Sequence, residues 1–172
     1  MFEGVMVALV TPFQRGKVDE KSLRKLVRFQ IENGTDAIVP SGTTGEAATL
    51  SHPEHRLVTD IVIDEAKKKV PIIAGTGSNS TQEAIDLTVH AEKAGADACL
   101  LITPYYNRPT QDGIYQHFKA VAKKTSLPMI VYNVPSRTGV NMTPETVARL
   151  CEIDNIIGLK DATGNLTPVS YT

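Results

Sequence analysis

Six short apolar segments rich in valine and isoleucine alternate with helical patterns along this 172-residue chain. Each segment is close to continuously apolar, which is typical of a parallel strand buried on both faces of a sheet. Successive segments begin about 30 residues apart, the length of one strand-plus-helix unit. The predicted strands are Val5–Val10, Asp36–Pro40, Val70–Gly75, Ala98–Thr103, Met129–Asn133 and Ile156–Lys160.

Capping residues mark the helices between these strands. Ser51–Glu54 and Ser80–Glu83 read as capping boxes, in which a serine and a glutamate satisfy each other's backbone amides. Thr143-Pro144 begins a further helix with proline in the first turn. Asn33-Gly34 and Gly95 are typical C-terminal stops. The alternation of strands and helices therefore predicts an α/β fold.

A doubly wound sheet and a (β/α)8 barrel both fit the spacing of the strands. The barrel is favoured because the units have similar lengths and no switch point in strand order is visible. Eight units need about 250 residues, so this chain is expected to form an incomplete barrel of about six units over residues 1–166. Residues 167–172 do not continue the pattern, and we expect a cut reading frame or a sequencing artefact there.

Composition excludes several other classes of protein. The chain carries 18 basic and 19 acidic residues, a net charge of −1, so no strong attraction to nucleic acid is expected. The longest apolar run has six residues, too short to span a bilayer and a poor signal peptide. Cys99 and Cys151 form no C-x-x-C pair. A cytoplasmic protein without membrane contact is the expectation.

Polar residues at the ends of the predicted strands are candidates for chemistry, because active sites of barrels lie at the carboxyl ends of their strands. Lys160 gives the sharpest signal. Its side chain is expected to point into the barrel mouth, where burial lowers the pKa of an ammonium and suits Schiff-base formation with a carbonyl substrate. The structural alternative is a lysine that extends to solvent or pairs with Asp161.

Other strand ends carry residues that suit substrate binding, each with a structural alternative. Gly42–Gly45 could cradle a carboxylate or form a plain turn. Tyr132 could relay a proton or belong to the core. Arg137 could bind a carboxylate through two hydrogen bonds or remain solvated. Tyr105-Tyr106 lies in a rigid, proline-flanked loop that could serve an interface.

Two other patterns do not support a cofactor or metal site. Gly75–Ser80 resembles the start of a dinucleotide-binding loop but lacks the third glycine, so a simple loop is the prediction. His52 and His55 could be half of a metal site, yet no third ligand is evident. Neither pattern therefore indicates a cofactor or metal site.

Four of these segments together resemble the dihydrodipicolinate synthase branch of the pyruvate-dependent class I aldolases. Each motif alone is weak, but four in the same order and spacing are specific, and the resemblance runs from Met1 to about Leu166. It implies a TIM barrel, in agreement with the strand pattern. The motifs are GTTGE (Gly42–Glu46), PYYNRP (Pro104–Pro109), YNVPSRTG (Tyr132–Gly139) and GLKDATGN (Gly158–Asn165).

The resemblance implies a catalytic role for four residues. Lys160 is similar in position to the lysine that forms a Schiff base with pyruvate. Tyr132, Thr43 and Tyr106 look like the proton-relay triad of the family. Tyr106 is expected to reach the active site of a neighbouring subunit, which implies a homodimer or homotetramer in the full-length parent.

The resemblance also implies the substrates. Thr43 and Thr44 would hold the carboxylate of pyruvate, and Arg137 would receive that of L-aspartate-4-semialdehyde. The expected product is 4-hydroxy-tetrahydrodipicolinate, in lysine and diaminopimelate biosynthesis, and no metal or organic cofactor is needed. N-acetylneuraminate lyases and 2-keto-3-deoxy-sugar-acid aldolases share the fold and the lysine but usually lack this arginine, so they are the alternative activities.

A lysine-binding regulatory site is a further implication of the resemblance. Ala47 stands where many relatives have a small polar residue, which removes one expected contact. Because the last two strands are missing, a non-catalytic fragment is the alternative to an active synthase. The residues that resemble the regulatory site are Ala48, His52, His55, Asn79, Glu83 and Tyr105.

Overall fold

A computed structural model describes residues 2–166 of the chain, and the predicted C-terminal tail lies outside the described residues. The described residues divide into two compact units. The first contains the residues up to Gly75 together with His90–Cys99, and the second contains Thr76–Val89 and the residues from Leu100 onward. In chain order the elements are β1 (Met6–Ala8), β2 (Phe13–Gln14), β3 (Lys17–Val18), α1 (Glu20–Glu32), β4 (Ala37–Val39), a 3-10 turn (Ala47–Thr49), α2 (His52–Ala66), β5 (Ile73–Gly75), α3 (Thr81–Ala94), β6 (Ala98–Ile102), α4 (Gln111–Ala122), β7 (Met129–Asn133), α5 (Pro135–Thr138), α6 (Pro144–Cys151) and β8 (Ile156–Asp161).

The predicted helix boundaries are confirmed where the capping chemistry is strongest. Ser51 caps α2 in a complete capping box: its side chain accepts from the amide of Glu54, and the Glu54 carboxylate accepts from the amide of Ser51. Thr143 caps α6, with proline in the first turn. Gly95 follows the last residue of α3 in the left-handed region, at φ 95°.

The core of the first unit is a cluster in which α1 and α2 pack against each other beside β4. β1 pairs with β4 in parallel, with Val7 opposite Ile38. β5 neighbours the start of β6, where the Ala98 amide donates to the Ile72 carbonyl. Each fully buried valine or leucine contributes about 1.5–3 kcal/mol to stability. The buried members are Leu9, Leu23, Val27, Ile38, Val58, Ile61, Val62, Ala66 and Ile72.

The second unit places β6, β7 and β8 in that order. β7 and β8 are parallel, with Tyr132 opposite Lys160 and Asn133 opposite Asp161. Helix α6 contacts both α4 and β8. The largest fully buried side chains of this unit are Leu101, Ile114, Phe118, Val121, Met129 and Leu150.

All six predicted strands are present, although most are shorter than the apolar segments that predicted them. The segment Val5–Val10 contains only a three-residue strand, Met6–Ala8, because a strand assignment requires backbone pairing that apolar character alone does not supply. The antiparallel hairpin β2–β3 carries no strong apolar signal and was not predicted. Within residues 2–166, no helix combines the length and apolar character needed to cross a membrane.

Candidate active site

Lys160 and Tyr132 lie side by side at the carboxyl ends of β8 and β7. They are directly opposite in the parallel register, so their side chains leave the sheet on the same face. The Lys160 Nζ lies 4.4 Å from the centroid of the Tyr132 ring. Tyr132 is 8% exposed, so its ring forms a buried wall for the amine. The structure therefore brings together the predicted nucleophile and one member of the predicted relay.

Lys160 is less buried than the sequence predicts, because β8 is the last strand of its sheet among the described residues and no strand covers its outer side. Partial burial still lowers the pKa of its ammonium below the ordinary value. The face of the Tyr132 ring acts in the opposite direction, since a ring quadrupole stabilises a cation. Burial thus shifts Lys160 in the direction of the neutral, nucleophilic amine.

The ion pair with Asp161, one structural alternative to a catalytic Lys160, is not the arrangement that the structure has. Adjacent residues of a strand point to opposite faces. The Asp161 carboxylate instead accepts from Asn133 Nδ2 at 3.1 Å and from Thr163 Oγ1 at 2.5 Å. Lys160 thus lies on a face of the sheet that its neighbouring carboxylate does not share.

The loops after β6 and β7 are joined by a backbone hydrogen bond. The Tyr106 amide donates to the Thr138 carbonyl at 3.3 Å. Tyr106 has φ 72° and a side chain that is 91% exposed, so its ring projects away from the core. Arg137 is exposed on the short helix α5, which begins one residue after β7 and ends at Thr138, with Gly139 as its C-cap. Both side chains are thus accessible to a ligand.

The Gly42–Glu46 turn follows β4 in the first unit. Three hydrogen bonds from the amides of Gly45, Glu46 and Ala47 close it, and none of them uses the amides of Thr43 or Thr44. The side chains of both threonines are exposed.

Close packing explains the second glycine of this turn. A Cβ at Gly45 would lie 3.0 Å from the Leu9 carbonyl oxygen, which is tighter than ordinary van der Waals contact. The turn has the open backbone that a carboxylate cradle requires, and its role stays a prediction.

Part of the predicted regulatory site lies in the second unit. Asn79 Nδ2 donates to the Tyr105 carbonyl at 3.2 Å, which joins the segment before α3 to the loop after β6. Glu83 accepts from Ser78 Oγ at 2.7 Å. Ser80 caps α3 through the Glu83 amide, at 3.4 Å. Asn79, Glu83 and Tyr105 therefore belong to one local hydrogen-bonded region.

The other predicted regulatory residues lie at the start of α2 in the first unit. Ala48 is exposed in the 3-10 turn, and His52 is the first residue of the helix. His55 is 5% exposed, and its Nε2 has no hydrogen-bond partner among the described residues. Burial, followed by the nearby His52 and His90, lowers the pKa of His55 to about 4. No group of three metal-ligating side chains is present among residues 2–166.

Two buried polar residues were not singled out from the sequence, although Asn133 lies within the Tyr132–Gly139 motif. Asn133 is 3% exposed at the end of β7, and its amide contacts three other residues. His117 is 5% exposed in α4, with Nδ1 lying 2.9 Å from Thr81 Oγ1. The signal that could have found Asn133 is its position at the end of a fully apolar strand, where an unpaired amide would be costly.

Comparisons with known proteins agree with these features. The model of the Dihydrodipicolinate synthetase family matches residues 1–172. The 4-hydroxy-tetrahydrodipicolinate synthase of Syntrophus aciditrophicus (strain SB) is 64% identical over 166 residues, which cover 96% of this chain and 57% of that protein.

Solved structures support the same grouping. A dihydrodipicolinate synthase from Acinetobacter baumannii, chloride-inhibited and complexed with pyruvate, is 58% identical with a TM-score of 0.94, over 96% of this chain and 57% of that one. A monomeric dihydrodipicolinate synthase variant is 44% identical with a TM-score of 0.93, over 98% and 56% of the two chains.

The backbone agreement confirms the predicted fold class, an α/β chain with part of a (β/α)8 barrel. The chain spans a little under three fifths of the length of the relatives that it matches. Sequence identity, the family match and the backbone agreement all point to one group. The chain belongs to the Dihydrodipicolinate synthetase family.

Proposed function

We propose that this chain carries the pyruvate-binding part of a 4-hydroxy-tetrahydrodipicolinate synthase. The observation that carries the proposal is the placement of Lys160, an amine of lowered pKa, against the buried ring of Tyr132 at the ends of two parallel strands. Burial that lowers the pKa of an amine raises its neutral, nucleophilic fraction, and an adjacent hydroxyl-bearing ring suits the proton transfers of Schiff-base chemistry. Family membership makes pyruvate the preferred carbonyl substrate.

In the proposed reaction, the Lys160 amine attacks the C2 carbonyl of pyruvate and water leaves, which gives an imine. Loss of a proton from C3 converts the imine to an enamine, and its carbon attacks the aldehyde of L-aspartate-4-semialdehyde. The amine of that substrate then displaces Lys160, and ring closure gives 4-hydroxy-tetrahydrodipicolinate. Tyr132, with Thr43 and Tyr106, relays the protons. The imine formed on Lys160 is itself the electron sink, so no metal or organic cofactor is required.

Substrate carboxylates are assigned to two separate segments. Thr43 and Thr44 lie in a turn whose closing hydrogen bonds leave their amides unused, which supports a role in holding the pyruvate carboxylate. Arg137 is exposed directly beyond β7, which supports a role in receiving the semialdehyde carboxylate. An arginine here favours the synthase over the lyases and sugar-acid aldolases of similar fold.

The first experiment is to trap the imine. The chain is incubated with pyruvate and sodium borohydride, and its intact mass is measured before peptide mapping. Reduction of the imine adds about 72 Da to the lysine that formed it. We expect a single adduct on Lys160 and none in Lys160→Arg, which keeps the charge but is not a nucleophile at neutral pH. Absence of an adduct, or scattered labelling of other lysines, would show that this chain is the inactive fragment.

A second experiment distinguishes the activities that share pyruvate trapping. The chain is first incubated with pyruvate, then given L-aspartate-4-semialdehyde, N-acetylmannosamine or a sugar-acid aldehyde, and borohydride is added last. Consumption of the imine by an aldehyde then appears as loss of the reduced Lys160 adduct. If the semialdehyde consumes the adduct faster than the sugar aldehydes do, and Arg137→Ala abolishes this preference, the synthase activity is supported. Equal loss of the adduct with a sugar aldehyde would favour a lyase or sugar-acid aldolase instead.

We also propose that Tyr106 acts in a neighbouring subunit. Its positive φ and exposed ring turn it away from the core, which fits an interface better than an internal role. Analytical ultracentrifugation should show a dimer or tetramer that Tyr106→Ala weakens. A monomer with undiminished pyruvate trapping would contradict this assignment. The lysine-binding role of the six regulatory residues stays a prediction, testable by adding L-lysine to the trapping assay.

A further inference from the structure

A network of hydrogen bonds joins the ends of β7 and β8 on the face opposite Lys160. We define it as the β7–β8 clasp: Asn133, Asp161, Asn141, Met142 and Thr163. Asn133 and Asp161 are direct neighbours in the parallel register, one position beyond Tyr132 and Lys160. The backbone continues the pairing, since the Ala162 amide donates to the Asn133 carbonyl at 2.9 Å.

Asn133 lies at the centre of the clasp. Its Nδ2 donates to Asp161 Oδ1 at 3.1 Å and to Asn141 Oδ1 at 2.9 Å, and its Oδ1 accepts from the Met142 amide at 3.0 Å. The Met142 amide can only donate and an ionised Asp161 can only accept, so the orientation of the Asn133 amide is determined. Asn133 is only 3% exposed, and its amide serves buried donors and acceptors at once. Replacing it is costly, because those groups would be left without hydrogen-bond partners.

Two functional segments depend on this residue. Asp161 directly follows Lys160, so the bond to Asn133 fixes the backbone from which the nucleophile projects. Asn141 and Met142 end the loop that begins after β7 and carries Arg137. Gln111 Nε2 also donates to the Asn141 carbonyl at 2.7 Å, which secures that end of the loop.

The clasp also determines where the Asp161 carboxylate can act. One oxygen accepts from Asn133, and the other accepts from the Thr163 hydroxyl. Strand alternation directs Asp161 to the face opposite Lys160, and these two bonds hold its carboxylate there at the strand end, so losing them lets its charge approach the lysine. A counter-ion beside an amine favours its protonated form, which is not nucleophilic.

We propose that Asn133 is a positioning residue for the lysine-centred reaction: it holds Asp161 away from Lys160 and ties the Arg137 loop to the end of β8. This inference rests on the proposed function, because it assigns Asn133 a part in the same site. Asn133 touches no reacting atom, so its effect is transmitted through Asp161 and the loop.

An exchange of the two side chains tests the proposal. Asn133→Asp places two carboxylates in contact, and Asp161→Asn removes the charged acceptor. In the double variant the new amide at 161 donates to the new carboxylate at 133, so the central bond is restored with donor and acceptor reversed. Asn155→Ala is the matched control, since Asn155 hydrogen-bonds the loop before β7 about 16 Å along the strand from Lys160.

The readout is the rate of borohydride trapping on Lys160 over a range of pyruvate concentrations, for proteins shown by circular dichroism to be folded. We expect Asn133→Asp to lower the maximum rate about tenfold, the effect of one pKa unit on the neutral amine. The half-saturating pyruvate concentration should change by less than about threefold. The double variant should recover to within about threefold of wild type, and Asn155→Ala should lower the melting temperature without changing the rate.

A wild-type rate in Asn133→Asp, or a folded double variant that stays as slow as the single one, would overturn the proposal. If the wild-type chain traps no pyruvate, the proposed function fails by itself. The clasp is then tested by the rate at which trinitrobenzenesulfonate labels Lys160 at pH 8. Slower labelling in Asn133→Asp that recovers in the double variant supports the clasp, and equal labelling in all three overturns it.

Discussion

Mild acid should destabilise this protein through His117, a buried imidazole in α4. Its Nδ1 contacts Thr81 Oγ1, while its Nε2 is buried without a hydrogen-bond partner among the described residues. The Phe118 ring stands edge-on at 5.3 Å. Protonation would place a charge beside an apolar ring with no acceptor for the new N–H, so burial lowers the pKa of His117 from 6.5 to about 4.

The magnitude follows from proton linkage. The folded-state pKa lies below that of the unfolded chain, so the unfolded chain binds more protons at acidic pH. The stability that neutral His117 contributes is complete above pH 6.5 and is lost as the pH falls toward 4. Integration between pH 7 and pH 5 gives a loss of about 2 kcal/mol from this residue. His55, whose pKa is lowered to about 4 as well, should add a similar loss.

The assay compares wild type with His117→Leu, which is apolar and of similar volume. Urea unfolding at pH 7 and pH 5, with amide hydrogen exchange in α4 as a local measure, gives the free energies of unfolding. Wild type should lose about 2 kcal/mol more than His117→Leu between these pH values. Leu23→Ala, at a fully buried position of α1, is the control, because it creates a cavity while leaving His117 and the Phe118 ring in place and should cost the same at both pH values.

Equal acid sensitivity of wild type and His117→Leu would refute this reasoning. It would mean that the folded protein accommodates the imidazolium, through water or rearrangement of Thr81, at no greater cost than the unfolded chain. Acid sensitivity that disappears only in a His55 variant would assign the effect to the first unit instead.

Two further predictions concern stability. Gly75→Ala should lower the free energy of unfolding by about 2–3 kcal/mol, because its Cβ would lie within 2.2 Å of the Ser41 carbonyl oxygen. In Gly158→Ala the new Cβ meets nothing within 4 Å. Calorimetry should therefore find the stability of this variant unchanged. Arg24→Met should lower the free energy of unfolding by about 1 kcal/mol at low salt and by less at high salt, because Arg24 forms an ion pair with the largely buried Glu65. A loss of stability that does not depend on salt would contradict an ionic origin.

Local signals account for the parts of the fold that the sequence predicts. The Ser51 capping box, the Thr143 cap and the Gly95 stop involve residues within four positions of each other, so backbone chemistry alone specifies them. The alternation of apolar strands and helices predicts the α/β class for the same reason. The β2–β3 hairpin escaped prediction because its two-residue strands are too short for a periodic signal.

The sequence also determined which residues are candidates for chemistry, since Lys160, Tyr132 and Arg137 stand at the ends of predicted strands or in recognisable motifs. Tertiary structure alone decided the partners of those residues. Asn133 and Asp161 meet because the parallel register aligns two strands that are 28 positions apart. His117 meets the Thr81 hydroxyl at the start of α3, 36 positions earlier in the chain. Such contacts depend on how distant segments pack, and no property of a residue's sequence neighbours encodes that packing.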